Sequence, residues 1–191
     1  EAVYTVLDAS PLGLAACDVD RDGHCDLAFV TGSGGGIQIL LGTGDGAFAA
    51  PVIYAEDYMC SYVYSRDLDK DGYDDIAATV FEPDGVLVLL NNSDGTFAGA
   101  TRYDGGGGGP AHFGDFDGDG VGDLVVANGI SRTVSVLLNN GDGMFGSPLS
   151  YNAGGRVEWV FSWDFDGDDD NDILTSFQHK YFTILYNRLN D

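Results

Sequence analysis

The 191-residue chain carries 31 acidic residues against 8 lysines and arginines, which gives a formal net charge of −23. This charge would repel nucleic acids and anionic membranes, so neither is expected as a partner. Apolar residues make up 44% of the chain, which argues against an acidic disordered protein. No apolar run approaches the roughly 20 residues of a membrane-spanning helix, and Glu1 is not followed by a signal segment. We therefore expect a mature soluble product without membrane insertion.

Four acidic segments recur along the chain at intervals of 49, 48 and 49 residues. They occupy residues 18–26, 67–75, 115–123 and 164–172, and each has aspartates at positions 1, 3, 5 and 9. A repeat of this length is typical of a propeller, a solenoid or an array. The 29 glycines and the many tyrosines and phenylalanines favour an all-β composition with tight turns. We therefore expect residues 1–191 to form a single all-β domain of four like units.

Each unit is predicted to contain up to four strands in chain order. First strands precede the acidic segments, at residues 12–16, 61–65, 111–113 and 157–161. Second strands follow them, at residues 27–30, 76–80, 124–127 and 173–176. Third strands come after a polar link, at residues 37–41, 86–90, 134–138 and 182–186. Asp-Gly turns then predict fourth strands that begin at Phe48, Phe97 and Phe145 and run through Tyr54, Tyr103 and Tyr151.

The fourth unit ends before any fourth strand, whereas residues 2–7 precede the first unit as the other fourth strands precede theirs. This permuted order is what closure of a ring requires. We therefore predict a β-propeller of four four-stranded blades in which the N-terminal strand completes the last blade.

The spacing of the aspartates suits a short loop wrapped around one hard cation. Ca²⁺ takes six to eight oxygen ligands from carboxylates, carbonyls and water. Glycine at position 6 of the first three segments permits a turn with positive φ, which makes the carbonyl of position 7 available as a further ligand. Four such ions would bring the formal charge from −23 to −15.

At this point the residues match a known family. The order of an acidic loop, the strand Asp-Leu-Val-Val-Ala-Asn, the strand Val-Ser-Val-Leu-Leu-Asn-Asn and the turn Gly-Asp-Gly-Met-Phe resembles the FG-GAP or VCBS-type repeat, the blade of integrin-α-like propellers. The resemblance covers all four repeats. It implies up to four Ca²⁺, one per repeat. The implied carboxylate ligands are Asp18, Asp20, Asp22, Asp26, Asp67, Asp69, Asp71, Asp75, Asp115, Asp117, Asp119, Asp123, Asp164, Asp166, Asp168 and Asp172. The implied backbone-carbonyl ligands are His24, Tyr73, Val121 and Asp170.

Two departures from known patterns bear on these sites. In the fourth loop Asp169 replaces the glycine of position 6, which makes this the weakest of the four sites, although aspartate tolerates the left-handed conformation better than most residues. The helical calcium hand is excluded because it needs a glutamate at position 12, where this chain has Phe29, Ala78, Val126 and Thr175.

Propellers of this family mostly have more blades than the four encoded here, although a four-bladed ring lies within the known range. The sequence therefore allows two assemblies. One is a monomer that closes as four blades, and the other is a strand-exchanged homodimer that forms eight.

Three cysteines bear on the compartment. Cys17 immediately precedes the first loop and Cys25 is its eighth residue, and the second repeat has Arg66 and Asp74, an opposite-charge pair, at these two positions. We therefore predict a Cys17–Cys25 disulfide and an oxidising, extracellular or periplasmic compartment. Cys60 is expected to be a buried small apolar residue.

Function must come from the ends of the blades, because a fold does not imply a function. By the resemblance, the calcium loops lie on one face, and the other face would bind a protein or a glycan as in adhesion or lectin-like modules. The candidate contacts there are Tyr58, Arg156, Trp159, His179 and Lys180, and for Tyr58 and Trp159 packing in the core is the alternative.

Two other hypotheses stay open from the sequence. A polysaccharide lyase or hydrolase is one alternative. Against it, His24 belongs to a metal loop, His112 is expected to pack inward, and His179 lacks an evident nucleophile or base partner. A bare scaffold without a ligand is the other. We expect no enzyme.

Overall fold

The computed structural model describes residues 10–32, 35–177 and 181–188, which form 15 strands. The protein is all-β, as predicted. Within these ranges no helix is long and apolar enough to cross a membrane.

The strands form four antiparallel sheets, the blades, and within each blade they lie in chain order. Blade 1 contains β1 (Pro11–Cys17), β2 (Asp26–Thr31), β3 (Ile37–Leu40) and β4 (Val52–Tyr54). Blade 2 contains β5 (Met59–Arg66), β6 (Asp75–Glu82), β7 (Asp84–Leu89) and β8 (Thr101–Tyr103). Blade 3 contains β9 (Ala111–Gly114), β10 (Asp123–Asn128), β11 (Thr133–Leu137) and β12 (Leu149–Asn152). Blade 4 contains β13 (Val157–Trp163), β14 (Asp172–Phe177) and β15 (Tyr181–Leu185).

The first three strands of the blades agree with the sequence predictions to within a few residues, but the fourth strands are shorter than predicted. Phe48, Phe97 and Phe145 form isolated bridges with Gly42, Asn91 and Asn139, and the fourth strands begin only at Val52, Thr101 and Leu149. Pro51 and Pro148 directly precede two of these strands. Proline has no amide hydrogen to donate to the sheet, so it interrupts pairing between the bridge and the strand.

The predicted fourth strand of blade 4 comes from the N-terminal segment. Blade 4 has three strands among the described residues. Residues 2–7, which are predicted to complete it, lie outside the described ranges.

The apolar core lies between neighbouring blades. Because side chains alternate across a strand, one face of each inner blade packs on the preceding blade and the other on the following one. Between blades 1 and 2, Val30 and Ile37 pack with Val80 and Leu87, and between blades 2 and 3, Val86 and Val88 pack with Leu124 and Leu137. Between blades 3 and 4, Val125 and Val134 pack with Val160 and Ile173. Each of these side chains contributes roughly 1.5–3 kcal/mol when it is fully buried, so the three interfaces carry most of the apolar stabilisation.

Blade 4 presents the equivalent apolar face to solvent. In blade 1, Gly13 and Ala15 stand at the positions that face blade 2, and a Cβ on Gly13 would lie 2.9 Å from the Cα of Tyr62. The corresponding residues of β13 are Trp159 and Phe161, which are 58% and 44% exposed. Closure of the ring by one chain or by two stays a prediction.

Three asparagines, of which Asn91 and Asn139 are buried and Asn187 is half-buried, join blades 2, 3 and 4 to the loop of the blade before. The side-chain amides of Asn91, Asn139 and Asn187 donate to the carbonyls of Val19, Leu68 and Phe116, at 2.7, 2.8 and 2.9 Å. Each accepting residue is the second of an acidic loop. In blade 1 this position is Gly42, where a Cβ would lie 2.3 Å from the carbonyl oxygen of Cys25. The three interfaces are thus fixed by the same hydrogen bond.

We expect Asn139→Ala to lower the free energy of unfolding by roughly 1–3 kcal/mol, because it leaves the carbonyls of Leu68 and Gly122 without this donor in a buried site. Asn140→Ala is the matched control, since its side chain is exposed, and it should cost less than about 0.5 kcal/mol. Urea unfolding in calcium buffer measures both. Equal destabilisation by the two variants would contradict the role given to Asn139.

Candidate metal centres

The four acidic segments all lie at one end of the blades. Each connects the first strand to the second, and we number them loop 1 (residues 18–26), loop 2 (67–75), loop 3 (115–123) and loop 4 (164–172). Since the strands are antiparallel, links from second to third strands and from each blade to the next lie at the opposite end. We call the two ends the loop end and the link end.

The first carboxylate of each loop shapes the turn. It accepts the amide hydrogen of position 6, with N–O distances of 3.2, 3.1, 2.9 and 3.2 Å in loops 1 to 4. In loops 1 to 3 the glycine of position 6 has a positive φ, from 79° in Gly120 to 91° in Gly72. Asp169 adopts the same conformation in loop 4, with φ of 70°. The missing glycine therefore does not change the course of the loop.

The carboxylates of positions 3 and 5 are turned inward by local hydrogen bonds. In loop 1, Asp20 Oδ1 accepts the amide of Asp22 at 3.2 Å, and Asp22 Oδ1 accepts the amide of His24 at 2.8 Å. Loops 2 and 3 repeat both bonds, and loop 4 repeats the second. Each aspartate in this arrangement bonds the backbone two residues on, as in an Asx turn.

Three carboxylates converge in each loop, with one oxygen from each within 4.8 Å of the others. In loops 1 and 2 these are positions 1, 3 and 5, and in loops 3 and 4 they are positions 1, 3 and 9. The converging residues are Asp18, Asp20, Asp22, Asp67, Asp69, Asp71, Asp115, Asp117, Asp123, Asp164, Asp166 and Asp172. Like charges at this distance repel, so the arrangement favours a bound cation.

Several buried carboxylate oxygens fit this interpretation. Asp18 Oδ1, Asp67 Oδ1 and Asp168 Oδ2 have no hydrogen-bond donor within the described parts of the chain. Buried polar atoms nearly always have a partner, and a hard cation is a suitable one for an unpaired carboxylate oxygen. The donor set contains oxygen and no sulfur or imidazole, which suits Ca²⁺ better than zinc or copper.

The ninth residue has a second role. Asp26, Asp75, Asp123 and Asp172 are all 0% exposed. One oxygen of each accepts the amide of loop position 2, at 2.8 Å in loops 1 to 3 and 3.0 Å in loop 4. The other accepts the amide of Gly42, Asn91, Asn139 or Asn187, beyond the third strand of the same blade. This carboxylate thus joins the loop to the middle of its blade, which the spacing of acids alone does not reveal.

Asp170 adds acidic oxygens to loop 4. Position 7 was predicted to offer its backbone carbonyl, but the side chain of Asp170 is only 2% exposed and neither carboxylate oxygen has a hydrogen-bond donor among described residues. The other loops have His24, Tyr73 and Val121 at this position. Loop 4 therefore carries one more buried carboxylate than the other loops. A comparison of the residue types at position 7 could have indicated this from the sequence.

Burial raises the pKa of three ninth-position aspartates. Desolvation raises the pKa of Asp75 and of Asp123 to about 6, although the backbone amides that donate to them act in the opposite direction. The pKa of Asp26 is also raised, again chiefly by desolvation. A hydrogen bond from Ser93 lowers the pKa of Asp71 instead. Without a cation, Asp26, Asp75 and Asp123 are therefore costly to ionise.

The predicted Cys17–Cys25 disulfide is wrong, because all three cysteines are free thiols. Cys17 points into the core between blades 1 and 2, and burial raises its pKa to about 12. Cys25 is exposed, and its thiol donates to the carbonyl of Asp26 at 3.5 Å. Cys60 is buried, as predicted, with its pKa raised by desolvation to about 11. The cysteines therefore give no indication of compartment.

The predicted contacts at the link end have different surroundings. Tyr58 packs against the core between blades 1 and 2. Trp159 is exposed and meets the ring of Tyr62 edge-on at 6.1 Å, and Arg156 is also exposed. His179 and Lys180 lie outside the described residues. His112 is half-buried against Phe161, with a ring distance of 4.2 Å, in agreement with the inward packing that was expected.

Comparison by sequence identifies one family. A family model described as an FG-GAP-like repeat matches three overlapping segments, residues 18–78, 67–126 and 115–175. A search of curated proteins gives no match.

Similar solved structures include a lectin from Agrocybe aegerita, described by its specific recognition of non-reducing terminal N-acetylglucosamine. It is 26% identical with a TM-score of 0.60, and the similarity covers 91% of this chain and 48% of the lectin chain. This chain thus spans about half of the lectin's length.

More distant similarities show the fold alone. The V. cholerae biofilm matrix protein Bap1 is 20% identical, with a TM-score of 0.52 over 87% of this chain and 28% of Bap1. The Tc holotoxin pore of Photorhabdus luminescens is 18% identical, with a TM-score of 0.51 over 90% of this chain and 9% of that chain.

We expect calorimetric titration to give four Ca²⁺ per chain, and Asp115→Asn to reduce this number to three by removing a carboxylate from loop 3. Asp142→Asn is the control, because this aspartate lies in the blade 3 hairpin turn and is not among the converging carboxylates. Unchanged stoichiometry in Asp115→Asn, or loss of a site in Asp142→Asn, would contradict the assignment.

We also expect calcium to raise the melting temperature by less at pH 5 than at pH 7.5. The raised pKa values of Asp75 and Asp123 mean that the metal-free folded state binds more protons than the unfolded state between about pH 4 and 6. The stability that comes from protonating Asp75 and Asp123 in the folded state is present at low pH and is lost as the pH rises through about 6. Above this pH a bound cation is needed to offset their negative charge. Thermal melts with calcium and with chelator measure the difference, and an increment that does not depend on pH would count against this view.

Proposed function

Because this chain belongs to the FG-GAP-like repeat family, we propose that it is a calcium-stabilised, non-catalytic propeller that recognises carbohydrate outside the cell. The observation that carries the proposal is its similarity to a sugar-specific lectin over nearly the whole chain. The acidic loops support the calcium part of the proposal, since extracellular modules bind calcium at roughly 10⁻⁴–10⁻³ M.

In this proposal the two ends of the blades have different roles. Ions at the loop end stabilise the blades, whereas the links at the opposite end are free to differ between blades and to contact a ligand. Aromatic side chains are exposed in blade 4, near or at that end: Trp159 is 58% exposed and Tyr181 is 60% exposed. Aromatic rings of this kind can stack on the apolar face of a sugar.

A protein ligand is the second candidate. The exposed face of blade 4, with Trp159, Phe161 and Phe182, is apolar enough to favour a protein surface. A protein partner at this face would leave the calcium role unchanged.

The arrangement of polar groups disfavours an enzyme. His112 Nδ1 lies 2.9 Å from Ser162 Oγ, a distance that suits a nucleophile and its base. However, Ser162 is 3% exposed, and its hydroxyl donates to the carbonyl of Phe113 at 2.6 Å. A substrate cannot reach this hydroxyl, so the pair supports packing between blades 3 and 4.

We expect an immobilised glycan array to retain the protein in millimolar calcium and to lose it when chelator is added, because the blades need the ions to hold their positions. Glycans that end in N-acetylglucosamine belong on the array because the similar lectin recognises them. Retention that persists in chelator would contradict the role of calcium. An array that retains no protein in calcium would overturn the proposed carbohydrate function.

A further inference from the structure

Two arginines at the link end lack the partners that the other arginines of the protein have. Arg21, Arg66 and Arg188 lie over aromatic rings at 5.1, 5.4 and 5.2 Å, and Arg102 forms an ion pair with Asp104 at 2.8 Å. Within the described ranges, Arg132 and Arg156 form no ion pair and no ring contact. Both are exposed, and both line the same cleft. In a chain of net charge −23, two unpaired cations in one cleft point to an anionic ligand.

The cleft lies between blades 3 and 4. Its volume is about 270 Å³, and it is lined by Arg132, Gly154, Gly155, Arg156, Phe177 and Tyr181. One water occupies roughly 30 Å³ of liquid, so the cleft holds much more than a single ion and its water. It is slightly smaller than the roughly 300–1,000 Å³ of sites for drug-sized ligands. One sugar ring is therefore a better fit than an oligosaccharide.

Backbone contacts hold the two links of blade 3 together at this cleft. The amide of Ala153 donates to the carbonyl of Arg132 at 3.1 Å. Arg132 itself has a positive φ of 62°, a conformation that costs free energy in a residue other than glycine and that often marks functional sites. The hydrogen bond thus joins the link that carries Arg132 to the segment that leads to Arg156.

An aromatic pair forms the blade 4 side of the cleft. The rings of Phe177 and Tyr181 are 6.1 Å apart and tilted by 30°. Phe177 packs so closely on the link that a Cβ on Gly155 would lie 2.7 Å from its ring. Tyr181 is 60% exposed. The cleft thus combines cationic groups with an accessible aromatic surface, the two features that a charged sugar requires.

The corresponding links elsewhere carry acids instead. The link between blades 1 and 2 includes Glu56 and Asp57, and the link between blades 2 and 3 begins with Asp104. The blade 3 links at the cleft, residues 129–132 and 153–156, contain no acidic residue. The positive character of this cleft is therefore a property of one interface and not of the repeat.

We propose that the cleft between blades 3 and 4 binds a terminal sugar that bears a carboxylate, such as a uronic or sialic acid. Arg132 and Arg156 bind the carboxylate, since the planar guanidinium group matches its geometry. Phe177 and Tyr181 contact the apolar face of the ring. A single acidic residue fits better than a long acidic polysaccharide, because the net charge of −23 repels a polyanion. This inference rests on the proposed function and names the ligand class of one site.

The direct test compares sodium glucuronate with glucose, which has a hydroxymethyl group in place of the carboxylate. We expect glucuronate to shift amide resonances around the cleft in the calcium-loaded protein and glucose to bind at least about tenfold more weakly, since it loses the charge-assisted hydrogen bonds. Equal binding of the two sugars, or shifts confined to other blades, would overturn the proposal. A sodium phosphate titration is run in parallel, and phosphate that binds the cleft as tightly as glucuronate would also overturn it.

Variants separate the cleft from the general charge of the protein. Arg132→Gln and Arg156→Gln should each weaken glucuronate binding by about tenfold. Arg102→Gln is the matched control, because it removes the same charge from the link end of blade 2, where Arg102 pairs with Asp104 outside the cleft and outside the calcium loops. It should leave glucuronate binding unchanged, and thermal melts check that all three variants fold. Equal loss of binding in all three would mean that net charge and not the cleft binds the anion.

Failure of this inference is distinguishable from failure of the proposed function. If the array retains only neutral glycans, the carbohydrate function stands and the acidic ligand of this cleft is wrong. If the array retains no protein but glucuronate binds through Arg132 and Arg156, the proposed function is wrong and the assignment of an acidic ligand to the cleft is supported.

Discussion

The structure depends on burying four carboxylates in places where water cannot solvate them. The ninth aspartate of every loop is fully buried, and its two oxygens hold the loop to the strand beside it. Two backbone donors offset part of the cost of desolvating this charge, and the neighbouring acids add repulsion. A divalent cation would remove that repulsion, which makes metal binding and folding parts of one equilibrium.

The same loops also connect the blades to one another. The second residue of a loop donates its amide to the buried aspartate of its own blade and accepts a hydrogen bond from an asparagine of the next blade. An ion that orders the loop therefore also orders the contact between blades. Because the loop end is fixed in this way, the links at the opposite end can vary from blade to blade. The links at the cleft between blades 3 and 4 carry two arginines, whereas the corresponding links between the other blades carry acidic residues.

Repetition made the fold predictable, because four copies of one pattern gave strand order, loop positions and metal chemistry from composition and spacing. Features that depend on three-dimensional neighbours were not predictable. Pro51 and Pro148 account for the late start of the fourth strand in blades 1 and 3, whereas blade 2 has the same late start without a proline. The free thiol of Cys17 follows from the direction of β1, which points this residue into the core. Asp170 could have been identified, since it is the only acid among the four seventh positions. The cleft could not, because its arginines and aromatic rings come from links far apart in sequence.

Amide hydrogen exchange with and without calcium tests the central claim most directly, namely that the acidic loops hold the blades against one another. On removal of calcium, exchange should accelerate together in the loops and in the buried interface strands β6 and β10, whose side chains pack between blades. Faster exchange in the loops alone, with the interface strands still protected, would show that the blades hold together without the ions and would contradict the account.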